Sequence, residues 1–334
     1  LRSRVDWLLI KYVIKIATTG VGSAAKGAEL RLETKGGKSA AVIGQRGSFN
    51  RLSMATAYDN IGCTYSGRRQ SDPRIASLID RALAGCGSIL NVGAGTGSYE
   101  PRSPLVVAVE PSSTMIAQRP ADAAPVVQAC AEALPFRNDS FDAVLGVLTV
   151  HHWKDQAKGF SECARVARSR VVFVTNDIDV CAKFWLFDYF PELLQTDRYL
   201  FPSMALFEEA FGPVETSVIP IPAECRDGFL GAYWKRPRAY LDPMVRESIS
   251  TFSRIGNVDA QLAHLKGDIE SGAWEQRYLS LKNLGELDLG YRIVVSPRRG
   301  SAAELPGGLG VANAIKIGSN LAGTSSPSAR SGTI

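Results

Sequence analysis

The chain has 334 residues, 45% of them hydrophobic and 21% charged, enough for one large domain with a buried core. Its net charge of +5 sits in the ends: residues 55–296 hold 24 Lys/Arg against 29 Asp/Glu, a net of −5, and a body of that sign argues against a nucleic-acid partner, whose phosphates need lysine and arginine. Six scattered cysteines without a C-x-x-C pair, and only three histidines, argue against a disulfide framework or a metal centre and fit a reducing, cytoplasmic setting.

In chain order, VDWLLIKYVIKIA comes first. It is too short to cross a bilayer, and Asp6, Lys11 and Lys15 spoil it as a membrane span or secretory signal. Residues 18–53 are rich in Gly, Ala, Ser and Lys with weak periodicity and read as poorly ordered. Met54 stands just ahead of the first well-patterned segment, so residues 1–53 are expected to be a disordered extension and the domain to span 54–297. Residues 298–334, rich in Gly, Ser and Ala, read as a disordered tail.

Within the body, DPRIASLIDRAL spaces Ile75, Leu78, Ile79 and Leu83 as one face of a helix, with Asp72 as N-cap and Pro73 in the first turn. SILNV and LVVAVE read as strands, and PSSTMIAQR as a helix capped by Ser112 or Ser113. PVVQACA and FDAVLGVLTV are strands, DQAKGFSECARVA a helix, and SRVVFVTND a strand. Continuous apolar strands alternating with helices mean a parallel sheet covered on both faces. Residues 178–280 read as mostly helical and aromatic-rich, and DLGYRIVVSP as a last strand ending at Pro297. The expected fold is α/β, a Rossmann-like, doubly wound, mostly parallel sheet with a helical insertion before the last strand.

The turn VGAGTG, with Gly93, Gly95 and Gly97, follows the first of these strands. It is either a bare tight turn or a surface stripped so that a ligand can lie on the main chain. In an open α/β sheet such a position, beyond the carboxyl end of a strand, is where ligands bind. Glu110 ends the next strand, placed to accept from a ribose diol. That pairing is common to nicotinamide enzymes and methyltransferases. The spacing is G-x-G-x-G rather than G-x-G-x-x-G, and the two prolines of YEPRSP leave almost no helix to hold a pyrophosphate. A ligand without phosphate suits it better.

With ACAEALPFRNDSFDAVLGVLTVHHW added, the chain resembles the class I S-adenosylmethionine-dependent methyltransferases, in particular the small-molecule, ubiquinone/menaquinone-biosynthesis-like branch. The matching features lie in order over roughly residues 58–176. The resemblance implies S-adenosylmethionine as cofactor, S-adenosylhomocysteine as product, and a small-molecule acceptor. It implies that main chain at Gly93, Ala94, Gly95 and Gly97 faces the cofactor and that Glu110 holds its ribose. Pro111, Ser112 and Met115 would border the adenine, Ala131 and Glu132 meet its edge by main chain, and Gly146 and Val147 lie under the sulfonium. Cys130 stands where many relatives have an aspartate. Tyr58 and Tyr65 lie in a segment that looks like the family's lid; the resemblance puts them near the methyl group, Tyr58 as a cofactor contact and Tyr65 as a catalytic candidate, while the competing reading has Tyr58 as a helix staple and Tyr65 in a small local core.

His151 and His152 follow the fourth strand. Residues adjacent on an extended segment face opposite ways, so only one is expected to point inward, and His151 is the candidate base. A structural role, bonding the neighbouring loop, is the competing reading. Trp185, Phe187, Tyr189, Phe190, Tyr233 and Trp234 are candidates for an acceptor pocket, or plain core. Three rival functions stay open: a nicotinamide-dependent oxidoreductase on a similar sheet, a non-catalytic S-adenosylmethionine-binding regulator and, more weakly, a nucleic-acid methyltransferase.

Overall fold

A computed structural model describes residues 69–102 and 105–296, and the backbone alone of 28–35, 38–45 and 297. In chain order its strands are β1 (Ala28–Lys35), β2 (Lys38–Gln45), β3 (Ser88–Val92), β4 (Leu105–Val109), β5 (Val126–Gln128), β6 (Phe141–Val147) and β7 (Ala167–Asn176). They continue as β8 (Glu215–Val218), β9 (Ile221–Pro222), β10 (Glu286–Leu287) and β11 (Tyr291–Pro297). The main sheet has the order β1-β2-β5-β4-β3-β6-β7-β11-β8. From β2 across to β7 every neighbouring pair is parallel, and β11 is antiparallel to both β7 and β8.

Alternation along the strands divides the core. Ile89, Val106, Leu145 and Val174 face one apolar cluster with helix α1 (Pro73–Ala82) and the chain after β7. Leu90, Val107, Val144 and Phe173 face the other, beneath α3 (Gln156–Val166), which follows the short α2 (Ser113–Ala117). Caps fix the helix starts: Asp72 accepts from the Arg74 amide, Ser112 from Met115 and Asp155 from Lys158. The doubly wound, mostly parallel α/β sheet expected from the sequence is therefore present.

After β7 come α4 (Ile178–Cys181), α5 (Leu186–Tyr189), α6 (Pro191–Leu200) and α7 (Met204–Phe211), then α8 (Pro243–Glu247), α9 (Asp259–Ser271) and α10 (Ala273–Arg277). The insertion is not purely helical. β8, inside residues 178–280, forms an edge of the main sheet. Its ETSV sequence is short and mostly exposed, so it carries no apolar run to announce a strand. The pair β9–β10 joins the two ends of the segment between them, where the Ala223 amide also donates to the Gly285 carbonyl at 2.8 Å.

A second difference lies near the start. Within residues 18–53, expected to be poorly ordered, β1 and β2 pair antiparallel from Ala28↔Gln45 to Lys35↔Lys38, and β2 extends the sheet beside β5. The hairpin signal was in the sequence: Leu30 and Leu32 alternate with Glu29, Arg31 and Glu33, and Gly36-Gly37 separates the strands. The rest of 1–53, Met54 and 298–334 lie outside the described residues.

Candidate active site

Strand order reverses between β3, which leads outward to β4 and β5, and β6, which leads the other way to β7. Ligands of open α/β sheets bind at such a switch point. The loops after β3 and β6 meet there. Gly93, Gly95 and Gly97 have φ of +69°, +53° and +98°, so the glycines are demanded by the backbone. A Cβ on Gly93 would collide with the Thr149 side chain, beyond the end of β6. One on Gly95 would meet the Met115 Cε at 3.3 Å. No helix follows the turn: residues 98–102 are turn and coil, as the prolines implied.

Glu110 is buried at the tip of β4. Its Oε2 accepts from the Gly95 amide and its Oε1 from the Ser112 amide, both at 2.8 Å. The carboxylate thus ties the glycine turn to the N-cap of α2. Ser112 spends its hydroxyl on the Met115 amide, and the Pro111 carbonyl accepts from Gln128 at 3.0 Å. Met115 is buried against the turn, and Ala131 is buried in the sheet's second core. The Glu132 side chain leaves that area to accept from the Lys154 and Asp155 amides at 2.8 and 3.3 Å, so only its main chain stays with Ala131. Burial pushes the Cys130 thiol up, keeping it neutral. At the β6 tip, a Cβ on Gly146 would lie 2.8 Å from the Phe173 ring, and Val147 is half-buried. Tyr58 and Tyr65 lie outside the described residues.

A buried ion pair that the sequence reading missed braces the same turn. Arg119 donates to Glu100 Oε1 at 2.5 Å, to the Gly95 carbonyl at 3.1 Å and to the Ala124 carbonyl at 3.0 Å. Glu100 also accepts from Asn91 and from the Ala124 amide. Its signal was faint, because neither residue lies on an apolar pattern that marks it as buried.

Beyond β6 the chain takes a positive φ of +47° at Leu148 and then a 3-10 turn, Val150–His152. This corrects the expectation that His151 and His152 face opposite ways. On the tight turn their rings lie side by side, centroids 3.8 Å apart, and His151 stacks on Phe201 at 4.1 Å. Withdrawal from water, then each other's proximity and the charges of Arg254 and Arg69, hold His151 well below its ordinary range; His152 is pushed down to about 3 by withdrawal from water and the same arginines. Both rings are neutral at physiological pH. Trp153 anchors the turn: its indole donates to Thr149 at 3.3 Å, and its ring lies against Gly159, where a Cβ would clash.

Phe201 follows α6, which carries a second missed residue. Asp197 is buried, accepts from the Thr251 hydroxyl at 2.9 Å, and is held up to about 7 because burial outweighs that bond and Arg254. An acid four residues after the buried Leu193, on the same helix face, was the available signal. The aromatic candidates are core instead of pocket. Trp185, Phe187, Tyr189, Phe190, Tyr233 and Trp234 are all buried in one cluster, and the indoles of Trp185 and Trp234 donate to main-chain carbonyls of Trp234 and Ile221. Among the described residues no His/Cys/Asp/Glu group is arranged to hold a metal, and no helix is long and apolar enough to cross a membrane.

Residues 90–175 match a family model described as a methyltransferase domain. The chain is 32% identical to a crystal structure from Anabaena variabilis named for a methyltransferase of an antibiotic biosynthesis pathway. The match covers 68% of this chain and 98% of that one, with a TM-score of 0.63. An S-adenosylmethionine-dependent methyltransferase from Thermotoga maritima is 13% identical over 72% of this chain and 98% of that one, with a TM-score of 0.46. A search of curated proteins gave no match.

Proposed function

Taking as premise that the chain belongs to the class I S-adenosylmethionine-dependent methyltransferases, we propose that it methylates a small-molecule acceptor beside the β6 tip. The family fixes the enzyme class and the cofactor; the acceptor and the site residues are our reading.

The switch-point cleft fits that cofactor. Its wall runs through Gly93, Gly95 and Gly97, which have no side chain and hold positive φ, and the buried Glu110 carboxylate stands at the adjoining strand tip. A carboxylate offers about four acceptor directions, so bracing the turn and gripping a diol are compatible roles. In our reading Gly93, Ala94, Gly95 and Gly97 face the cofactor and Glu110 holds its ribose. Pro111, Ser112 and Met115 border the adenine, main chain at Ala131 and Glu132 meets its edge, and Gly146 and Val147 underlie the reactive end. S-adenosylmethionine, when bound, supplies an activated methyl group on a positively charged sulfur. The protein's work is then alignment and exclusion of water, and positioning of this kind is worth about 7–11 kcal/mol.

The observation behind the small-molecule reading is that the insertion packs onto the histidine turn beyond β6. Phe201 from the insertion stacks on His151, and the Phe201 amide donates at 2.9 Å to the carbonyl of the buried Asp197. An insertion packed over the strand tip in this way suits a compact acceptor in our reading, as does the net −5 of the body. In our reading His151 is the candidate base for the acceptor's proton; the surroundings that keep it neutral also weaken it as a base. The five described cysteines are free thiols, which supports a cytoplasmic setting. Mass spectrometry of host extract incubated with the enzyme and a deuteriomethyl-labelled donor tests the reading. We expect label in a low-mass product; label confined to protein or nucleic acid refutes a small-molecule acceptor.

A further inference from the structure

Away from the switch point, a cavity of about 480 Å³ lies between the 3-10 turn Pro237–Leu241, the end of α9, α10 and the turn Leu279–Leu281. No residue of the glycine turn, the Glu110 segment or the histidine turn lines it. Its floor is apolar and fixed. Ile269, Trp274 and Leu281 are buried; Trp274 meets Trp185 edge-on at 5.2 Å; the Tyr278 hydroxyl donates to Asp188 at 2.7 Å. Beside these, Leu279 stands 61% exposed.

Four cations and one acid, Glu275, complete the lining. Two of the cations are committed to the protein. Lys235 donates to the Leu284 carbonyl at 2.8 Å, and Arg236 donates to the Cys225 and Ala232 carbonyls while lying over the Tyr233 ring. The other two, Arg238 and Lys282, make no side-chain hydrogen bond or ion pair among the described residues. An aromatic and aliphatic floor with two uncommitted cations at its mouth has a definite complement. The floor favours a flat or aliphatic body, and the cations favour an anion on one end of it. Volumes of roughly 300–1,000 Å³ are usual for small-molecule sites.

We propose that this cavity is a second binding site, for a small apolar anion whose aromatic or acyl body rests on Trp274, Tyr278 and Leu279. Its carboxylate or sulfonate lies between Arg238 and Lys282. The site is independent of the cofactor cleft, so occupancy of one does not block the other.

Titration of the full chain with the fluorescent anion 1-anilinonaphthalene-8-sulfonate tests this. We expect one saturable site that persists in excess S-adenosylhomocysteine. Arg238→Glu with Lys282→Glu should weaken the anion at least tenfold and leave the uncharged N-phenyl-1-naphthylamine within twofold. Leu279→Asp, at an exposed position, should weaken both probes. Thermal melts of each variant confirm folding. Absence of saturable binding, displacement by S-adenosylhomocysteine, or unchanged anion affinity in the double variant would each overturn the proposal.

Discussion

Gly93→Ala separates a glycine needed only for its backbone from one needed also for space. Gly85 provides the comparison. Its φ is +81°, and a Cβ there would meet nothing within 4 Å. Alanine at such a position costs about 1–2 kcal/mol for the left-handed conformation, offset by roughly 0.4–1 kcal/mol of lost freedom in the unfolded chain. Gly85→Ala should therefore cost under about 1.5 kcal/mol, or a few degrees of melting temperature for a domain of this size. Gly93 carries the same backbone cost at φ +69°, and its Cβ would overlap Thr149. Overpacking of that kind adds about 1–3 kcal/mol. Thr149 also holds the Trp153 indole, so relief by moving it disturbs the histidine turn. Urea unfolding of both variants gives the difference, and cofactor titration gives its effect on the cleft. Equal losses for the two variants would refute the steric account of the switch point.

Arg119→Met should cost about 3–5 kcal/mol in urea unfolding, because it leaves the Glu100 carboxylate buried without its partner; a loss under 1 kcal/mol would mean that water replaces the arginine. Asp197 keeps its proton in the folded state up to about 7, whereas the unfolded chain releases it near about 4. Its contribution to stability therefore falls as pH rises through that window, by up to about 1.4 kcal/mol per pH unit relative to Asp197→Asn; a pH-independent difference contradicts this. His151→Ala should slow methyl transfer by about a hundredfold if the ring takes the proton, with cofactor affinity unchanged; a loss of stability at full turnover rate would make it a stacking partner for Phe201 alone.

The sheet was legible because its central strands are buried on both faces, and continuous runs such as SILNV and LVVAV have few other uses. The caps at Asp72, Ser112 and Asp155 were legible because each polar residue stands directly before an apolar period. The edges were less so. β8 has no apolar run, and β1 and β2 lie within a stretch whose composition suggests a loop. In the site, the glycine turn and Glu110 sit where local pattern placed them. Arg119, Glu100 and Asp197 did not show, because burial of a charge is set by partners far along the chain: Asp197 meets Thr251 across 54 residues. The histidine geometry was misjudged because the strand ends at Val147, and a 3-10 turn replaces the extended segment.

The most direct test of the cofactor site is a crystal structure of the full chain with S-adenosylhomocysteine. We expect the ligand against the main chain of Gly93–Gly97, with both ribose hydroxyls within hydrogen-bond distance of Glu110. Ligand bound elsewhere, with no ribose hydroxyl within hydrogen-bond distance of Glu110, would contradict it.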